Sequence, residues 1–201
     1  MNKTLRTIYL LRHGEALLPG DEGPYYIGRT DVPLSPRGKE QASRLAERFS
    51  GHKLQALFSS DLARSVETAS IIALRGNHPE AGAEPSFREI DLGDWDGMSM
   101  EKVRKAFPEA YRRRGEALDT FRPPGGESFL DLSQRVMPAF CNLLEKTEGD
   151  ILLVAHAGVN RVILCHILAV PLKNLLRISQ ACGCVNKIAA GNRMTVELVN
   201  G

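Results

Sequence analysis

Ile8-Tyr9-Leu10-Leu11-Arg12-His13-Gly14 joins a short apolar run to an arginine, a histidine and a glycine. The run has the length and character of a buried strand. The Arg-His-Gly turn at its end suits a phosphate site. Arginine offers a planar fork of donors to phosphate oxygens, and glycine lets backbone approach a ligand closely. The histidine is then a base, a ligand clamp or the attacking atom. A turn that merely contains histidine is the competing reading, and the tripeptide alone does not separate the two.

The same strand-then-helix grammar recurs along the chain. Leu54 to Phe58 reads as a second strand, followed at once by a helix carrying Leu62, Val66, Ala69 and Ile72 or Ala73. Ile151 to Val154 is the strongest buried strand, and Val159 to Leu168 is helix again. Such alternation predicts an α/β fold, a three-layer sandwich with a mostly parallel central sheet flanked by helices. Ligands in such folds gather at the carboxyl ends of the strands.

Between these units, Ser35-Pro36 opens a helix with Leu45 and Phe49 on its inner face. Ser128 caps a longer helix whose apolar set is Phe129, Leu132, Val136, Phe140, Leu143 and Leu144, a 3.6-residue period. Short strands are expected around Ile178, at Val185 to Ile188 and at Met194 to Leu198. The section 88–126 holds Trp95, two short helical stretches and the break Pro123-Pro124-Gly125-Gly126, and has no strong strand signal. It reads as a lid-like helical insertion within a single domain spanning 1–201.

A length of 201 residues fits one sizeable domain. A net charge of +2 argues against broad attraction to nucleic acid or membrane, so charge-driven recognition must be local. Of the cysteines, Cys141 and Cys165 lie in apolar or helix-like stretches, and Cys182-Gly183-Cys184 is too tight for the usual zinc spacing. No metal site is expected. The polar start, Met1 to Thr7, leads into an apolar run too short for a signal peptide, and no run approaches the ~20 residues of a membrane span. A cytoplasmic protein is the resulting expectation.

Three strand ends deliver polar residues toward one place. Arg12-His13-Gly14 follows the first, Ser59-Ser60-Asp61-Leu62-Ala63-Arg64 the second, and Ala155-His156-Ala157-Gly158 the strand at Ile151. The last of these opens a helix, whose unpaired N–H groups and positive dipole end attract an anion. Arg64 alone reads as a solvated helix residue and His156 as a capping or core histidine. Their coincidence with Arg12 and His13 at strand carboxyl ends favours an anion site.

The chain resembles the histidine phosphatase superfamily, also called phosphoglycerate-mutase-like. The resemblance lies in Leu11-Arg12-His13-Gly14-Glu15, Gly28-Arg29-Thr30-Asp31-Val32-Pro33-Leu34-Ser35 and Gly38-Lys39-Glu40-Gln41-Ala42. It continues through Ser59 to Ala69, Arg88-Glu89-Ile90-Asp91-Leu92-Gly93-Asp94-Trp95-Asp96-Gly97, Pro124-Gly125-Gly126-Glu127-Ser128 and Val154 to Gly158. The resemblance implies that His13 attacks phosphorus and carries a transient phosphoryl group. Arg12, Arg64 and His156 would clamp the equatorial oxygens, with the Ala157 N–H as a further donor. Arg12 and Arg64 would keep His13 neutral by disfavouring a third cation. Glu89 would protonate the leaving oxygen and later deprotonate water; by itself it reads as an exposed loop acid. The resemblance also implies substrate contact near Gly28, no cofactor, and a small-molecule phosphomonoester as partner, with a homodimer left open.

The Tyr25-to-Leu34 segment and the Pro-Gly-Gly-Glu-Ser block look most like the alpha-ribazole phosphatase branch, which removes the 5′-phosphate of a cobalamin nucleotide-loop precursor. Broad-specificity phosphatases share much of the pattern, and the short middle section favours hydrolysis over mutase chemistry. The chain departs from relatives that carry an asparagine soon after the RHG turn: Glu15-Ala16-Leu17-Leu18-Pro19-Gly20 has none, and Asp21-Glu22-Gly23-Pro24-Tyr25-Tyr26 is unusually acidic. Arg112-Arg113-Arg114 reads as a solvated helix face, with a basic rim as the alternative. Trp95 reads as packing before stacking. Glu127 is either an acid at a helix start or a neighbour of the phosphate pocket.

Overall fold

The computed structural model describes residues 5–18, 20 and 23–201. Pro19, Asp21 and Glu22, in the loop after the RHG turn where the chain departs from relatives, lie outside the described residues, as do Met1 to Thr4. The apolar run at Ile8 forms β1 (Arg6–Arg12), and the next strands are β2 (Ala56–Ser59), β3 (Ala81–Ala83) and β4 (Ile151–Ala155). With β5 (Val185–Ala190) and β6 (Met194–Leu198) they make one six-stranded sheet in the order β3-β2-β4-β1-β5-β6. The first four strands of that order pair in parallel, whereas β5 runs antiparallel to β1 and β6 antiparallel to β5.

Side-chain alternation feeds both faces of this sheet. Ile8, Leu10, Ile151 and Leu153 point into one apolar cluster, which is completed by α5 (Phe129–Glu145), α6 (Ala157–Ile167) and the middle section. Tyr9, Leu11, Leu152 and Val154 point into the other, completed by α1 (Pro36–Phe49) and α2 (Ala63–Gly76). Double-sided burial explains why β1 and β4 read as unbroken apolar runs rather than as alternating ones.

The helices begin where their capping residues stand. Ser35 accepts the Gly38 N–H, with Pro36 in the first turn of α1. Ser128 and Asp131 form a capping box at α5. The middle section contains α3 (Met100–Ala106) and α4 (Pro108–Glu116), pinned to the core by Trp95, which is fully buried beside Tyr26, Phe107 and Phe121. Packing is therefore the role Trp95 takes.

Two expectations need correction. No strand forms at Ile178; Leu172–Arg177 is a 3-10 helix and Ile178 follows its last turn. Conversely, β3 (Ala81-Gly82-Ala83) gave no apolar signal, because pairing to β2 at the sheet edge needs no large side chains.

Candidate active site

Strand register brings the site together. Ser59 pairs with Val154 across β2 and β4, and Arg12 with Ala155 across β4 and β1. The next residue along each strand, Ser60, His156 and His13, therefore emerges beside the others at the carboxyl end of three adjacent parallel strands. The rings of His13 and His156 lie 4.9 Å apart between centroids.

His13 is held in one tautomer. Its Nδ1 lies 2.6 Å from the Gly14 carbonyl oxygen, which can only accept, so Nδ1 carries the proton and Nε2 the lone pair. The Arg64 Nε–H points at that Nε2 from 3.3 Å. Burial first, then Arg64 and Arg12, push the imidazole well below its ordinary pKa, against the pull of the Gly14 carbonyl. Both arginines act in the expected direction, toward the neutral form, although burial contributes more than they do. Around His13 the backbone is closely packed: Gly14 N–H donates to Thr68 Oγ1, and a Cβ on Gly14 would run into the Gly38 carbonyl of α1.

Arg64 is buried rather than solvated, with 1% exposure. Its Nη1 and Nη2 donate to the carbonyls of Thr30 and Gly28 at 2.9 and 2.7 Å. Gly28 thus holds the arginine from behind, with its own N–H given to Asp96 at 2.9 Å. That is how the Gly28-Arg29-Thr30 segment enters the site; Gly28 itself is not among the residues lining the cavity.

His156 is fully buried, and burial followed by His13, Arg64, Arg12 and Arg135 holds it neutral. Ser60 Oγ sits 2.6 Å from its Nε2. A hydroxyl donating there leaves Nδ1 as the N–H, and this Nδ1 has no hydrogen-bond partner among the described residues. Arg12 Nε is buried and unpartnered in the same way, while Arg12 Nη1 is anchored on the Gln180 carbonyl at 2.7 Å. Buried donors without acceptors are costly unless a ligand supplies the acceptor. A bound anion would supply it at both atoms.

Glu89 is buried, not exposed. One carboxylate oxygen accepts its neighbour's Ile90 N–H at 2.9 Å, the other the Gly158 N–H at 3.0 Å in the first turn of α6. It lines, with Arg12, Ala157, Gly158 and Arg161, a cavity of about 300 Å³. The middle section supplies the outer wall through Leu92, Met100, Arg114, Leu118 and Phe121. The arginine run divides: Arg112 pairs with Glu109 and Glu116 on the exposed side, whereas the Arg114 guanidinium lies over the Tyr26 ring at 5.4 Å, at the cavity. Glu127 also lines the cavity. Among the described residues no cluster of three or more His, Cys, Asp or Glu could hold a metal, and no helix is long and apolar enough to cross a membrane.

Sequence reasoning does not single out Ser60, Thr68, Asp96 or Gln180 as site residues. Ser60 and Thr68 lie in or next to the stretch that carries Arg64. Asp96 lies in the Arg88-to-Gly97 block that carries the resemblance, and Gln180 carries no local signal.

A family model for the histidine phosphatase superfamily (branch 1) matches residues 8–200. Phosphoglycerate mutase-like protein 4 of Arabidopsis thaliana is 37% identical over 157 residues, 77% of this chain and 67% of that protein. Glucosyl-3-phosphoglycerate phosphatase of Mycolicibacterium vanbaalenii is 31% identical over 179 residues, 85% of this chain and 77% of its own. Among solved structures, the alpha-ribazole phosphatase from Shigella flexneri superposes with a TM-score of 0.87 at 25% identity, covering 97% of this chain and 96% of its own.

Proposed function

The chain belongs to the histidine phosphatase superfamily, branch 1, and from that premise we propose a metal-independent phosphomonoesterase that works through a phosphohistidine on His13. The observation that carries this reading is the Nε2 lone pair of His13, fixed by the Gly14 carbonyl and met by Arg64. Nε2 attacks phosphorus, the N–P bond forms, and the P–O bond to the leaving alcohol breaks. Arg12, Arg64, the His156 Nδ1–H and the Ala157 N–H take the non-bridging oxygens, where charge persists through a loose transition state. Glu89 gives its proton to the departing oxygen. It then takes one from water, whose oxygen attacks the phosphohistidine, releasing phosphate and restoring His13. One carboxyl serves both steps because the alcohol and the water occupy the same side.

Substrate choice falls to the cavity. Its apolar wall at Leu118 and Phe121 accommodates a bulky alcohol, in keeping with alpha-ribazole 5′-phosphate. A second reading rests on Arg114 and Arg161, which face the cavity and have no carboxylate within 4 Å among the described residues. They favour a phosphomonoester with a further anionic group, the class named in the mycobacterial relative. Cytoplasmic work suits the four free cysteines.

The test is turnover under chelation of an aryl phosphate, alpha-ribazole 5′-phosphate, phosphoglycerates, sugar phosphates and nucleotides. His13→Ala should abolish release of phosphate from every one. Turnover that survives in that variant under chelation, or that returns in it when metal is restored, rejects the mechanism. Preference for alpha-ribazole phosphate selects the first substrate, and preference for phosphoglycerates the second. Isomerisation without free phosphate would make the protein a mutase.

A further inference from the structure

Glu127 is the residue of the site that the mechanism does not use. Its carboxylate has both oxygens engaged. Arg135, from the second turn of α5, grips it with Nε at 3.2 Å from Oε1 and Nη2 at 2.8 Å from Oε2. Oε2 also accepts the Asp91 N–H at 3.0 Å, and the Glu127 N–H returns a bond to the Asp91 carbonyl at 2.8 Å. Arg29 closes the arrangement with Nη2 at 3.0 Å from Glu127 Oε1 and Nη1 at 3.1 Å from Asp91.

The same arginines reach both halves of the reaction centre. Arg135 Nη1 donates to the carbonyls of Ser86 and Arg88 at 2.8 and 3.1 Å, and its Nη2 to that of Glu89 at 3.4 Å. The backbone on each side of the acid is thus tied to Arg135, and Asp91, two residues on, to Glu127. Arg29 stands between Gly28 and Thr30, whose carbonyls hold Arg64. One carboxylate therefore joins the segment that carries the proton donor to the segment that carries the phosphate clamp.

We propose that Glu127 is a positioning residue, which through Arg135 and Arg29 sets where Glu89 stands relative to the phosphate held by Arg64. The proposal rests on the phosphatase reading, with Glu89 as acid. Its carboxylate is committed to two guanidinium groups and a backbone N–H, so it is placed to act through them rather than on the reacting atoms. Isolated helix-start charges are worth little, but this one organises a half-buried network in which Arg135 would otherwise lose its carboxylate and the Asp91 N–H its acceptor.

A leaving-group series separates positioning from general support. kcat/KM for aryl and alkyl phosphates reports only the steps through phosphoryl transfer to His13, and alkyl leaving groups need protonation whereas dinitrophenolate does not. Glu89→Gln should lose on the order of 10²-fold or more with an alkyl phosphate and far less with dinitrophenyl phosphate. Glu127→Gln should follow the same slope with a smaller amplitude, about tenfold for the alkyl substrate, and Glu127→Asp should recover part of it. Arg135→Lys keeps the charge but loses the fork, and should show the same dependence if Glu127→Gln folds poorly. An equal loss for every leaving group, or no loss, in both Glu127→Gln and Arg135→Lys overturns the proposal while leaving Glu89 in place. A flat response in Glu89→Gln instead overturns the assignment of the acid, and the role of Glu127 with it.

Discussion

His13 shows how far a motif can be read and where reading stops. Arg12-His13-Gly14, Arg64 and His156 are legible because strand ends in an α/β fold converge. The tautomer is not legible, since it depends on a carbonyl 2.6 Å away in the folded turn. Nor is the Ser60 contact that leaves His156 Nδ1 facing a ligand, since it spans two strands. Glu89 has no local mark at all; it becomes an acid in a site only through the Gly158 N–H of a helix 69 residues later. A titration of the His13 ring by NMR should place its midpoint below the ordinary 6.5, because burial and two guanidinium groups oppose the cation. A midpoint at or above that value removes the case for a neutral nucleophile. Gly158→Ala offers a second check. A Cβ there would run into Glu89 Oε1, the oxygen that accepts the Ile90 N–H, so the carboxylate must shift while the helix gains a better helix former. Stability should hold and kcat/KM for an alkyl phosphate should fall by about tenfold or more; unchanged turnover would detach Glu89 from the chemistry.

Helices are easier to foresee here than strands, for a physical reason. The apolar period of α5 names Phe129, Leu132, Val136, Phe140, Leu143 and Leu144; the first five are buried and Leu144 is partly so. In α2 the same logic finds Leu62, Ala69, Ile72 and Ala73, all buried, but not the whole buried face. Val66 is only partly buried, while Arg64, Ser65 and Thr68 are buried, because the face toward the site is polar. Period counting sees apolar side chains and is blind to a polar face satisfied by carbonyls. The edge strand β3 escapes for the complementary reason, having backbone pairing but nothing large to bury. Caps, by contrast, are local chemistry. Ser128 accepts the Asp131 N–H at 3.1 Å while Asp131 accepts the Ser128 N–H at 2.8 Å. Ser128→Ala should cost about 1 kcal/mol, read as a lower urea midpoint with unchanged slope. A loss within the error of that measurement would mean that the α5 start is held by Glu127 and Arg135 alone.

The net charge of +2 gives no hint of an anion site, because it sums the whole chain, whereas the site depends on the few arginines, Arg12 and Arg64 first, that the fold brings to the strand ends. Burying the site's histidines makes stability depend on pH. Buried His13 and His156 are neutral, with folded pKa values below the unfolded ones. An unfolded chain therefore binds protons that the folded one refuses, and stability is full above about pH 6.5 and falls as the pH drops below it. A bound phosphate should offset this by supplying the acceptors that Arg12 Nε and His156 Nδ1 lack. At a hundred times its dissociation constant a ligand adds about 2.7 kcal/mol, which for a chain of this size raises Tm by roughly 5–10 °C. Inorganic phosphate should give that rise in the native protein, and Arg64→Ala should abolish it. Arg112→Ala, changed on the exposed face of α4 where the guanidinium already pairs with Glu109 and Glu116, should keep it. Phosphate also stabilises proteins generally by exclusion from their surface. That effect would raise Tm equally in all three, and an equal rise would show that the converged strand ends do not bind the anion.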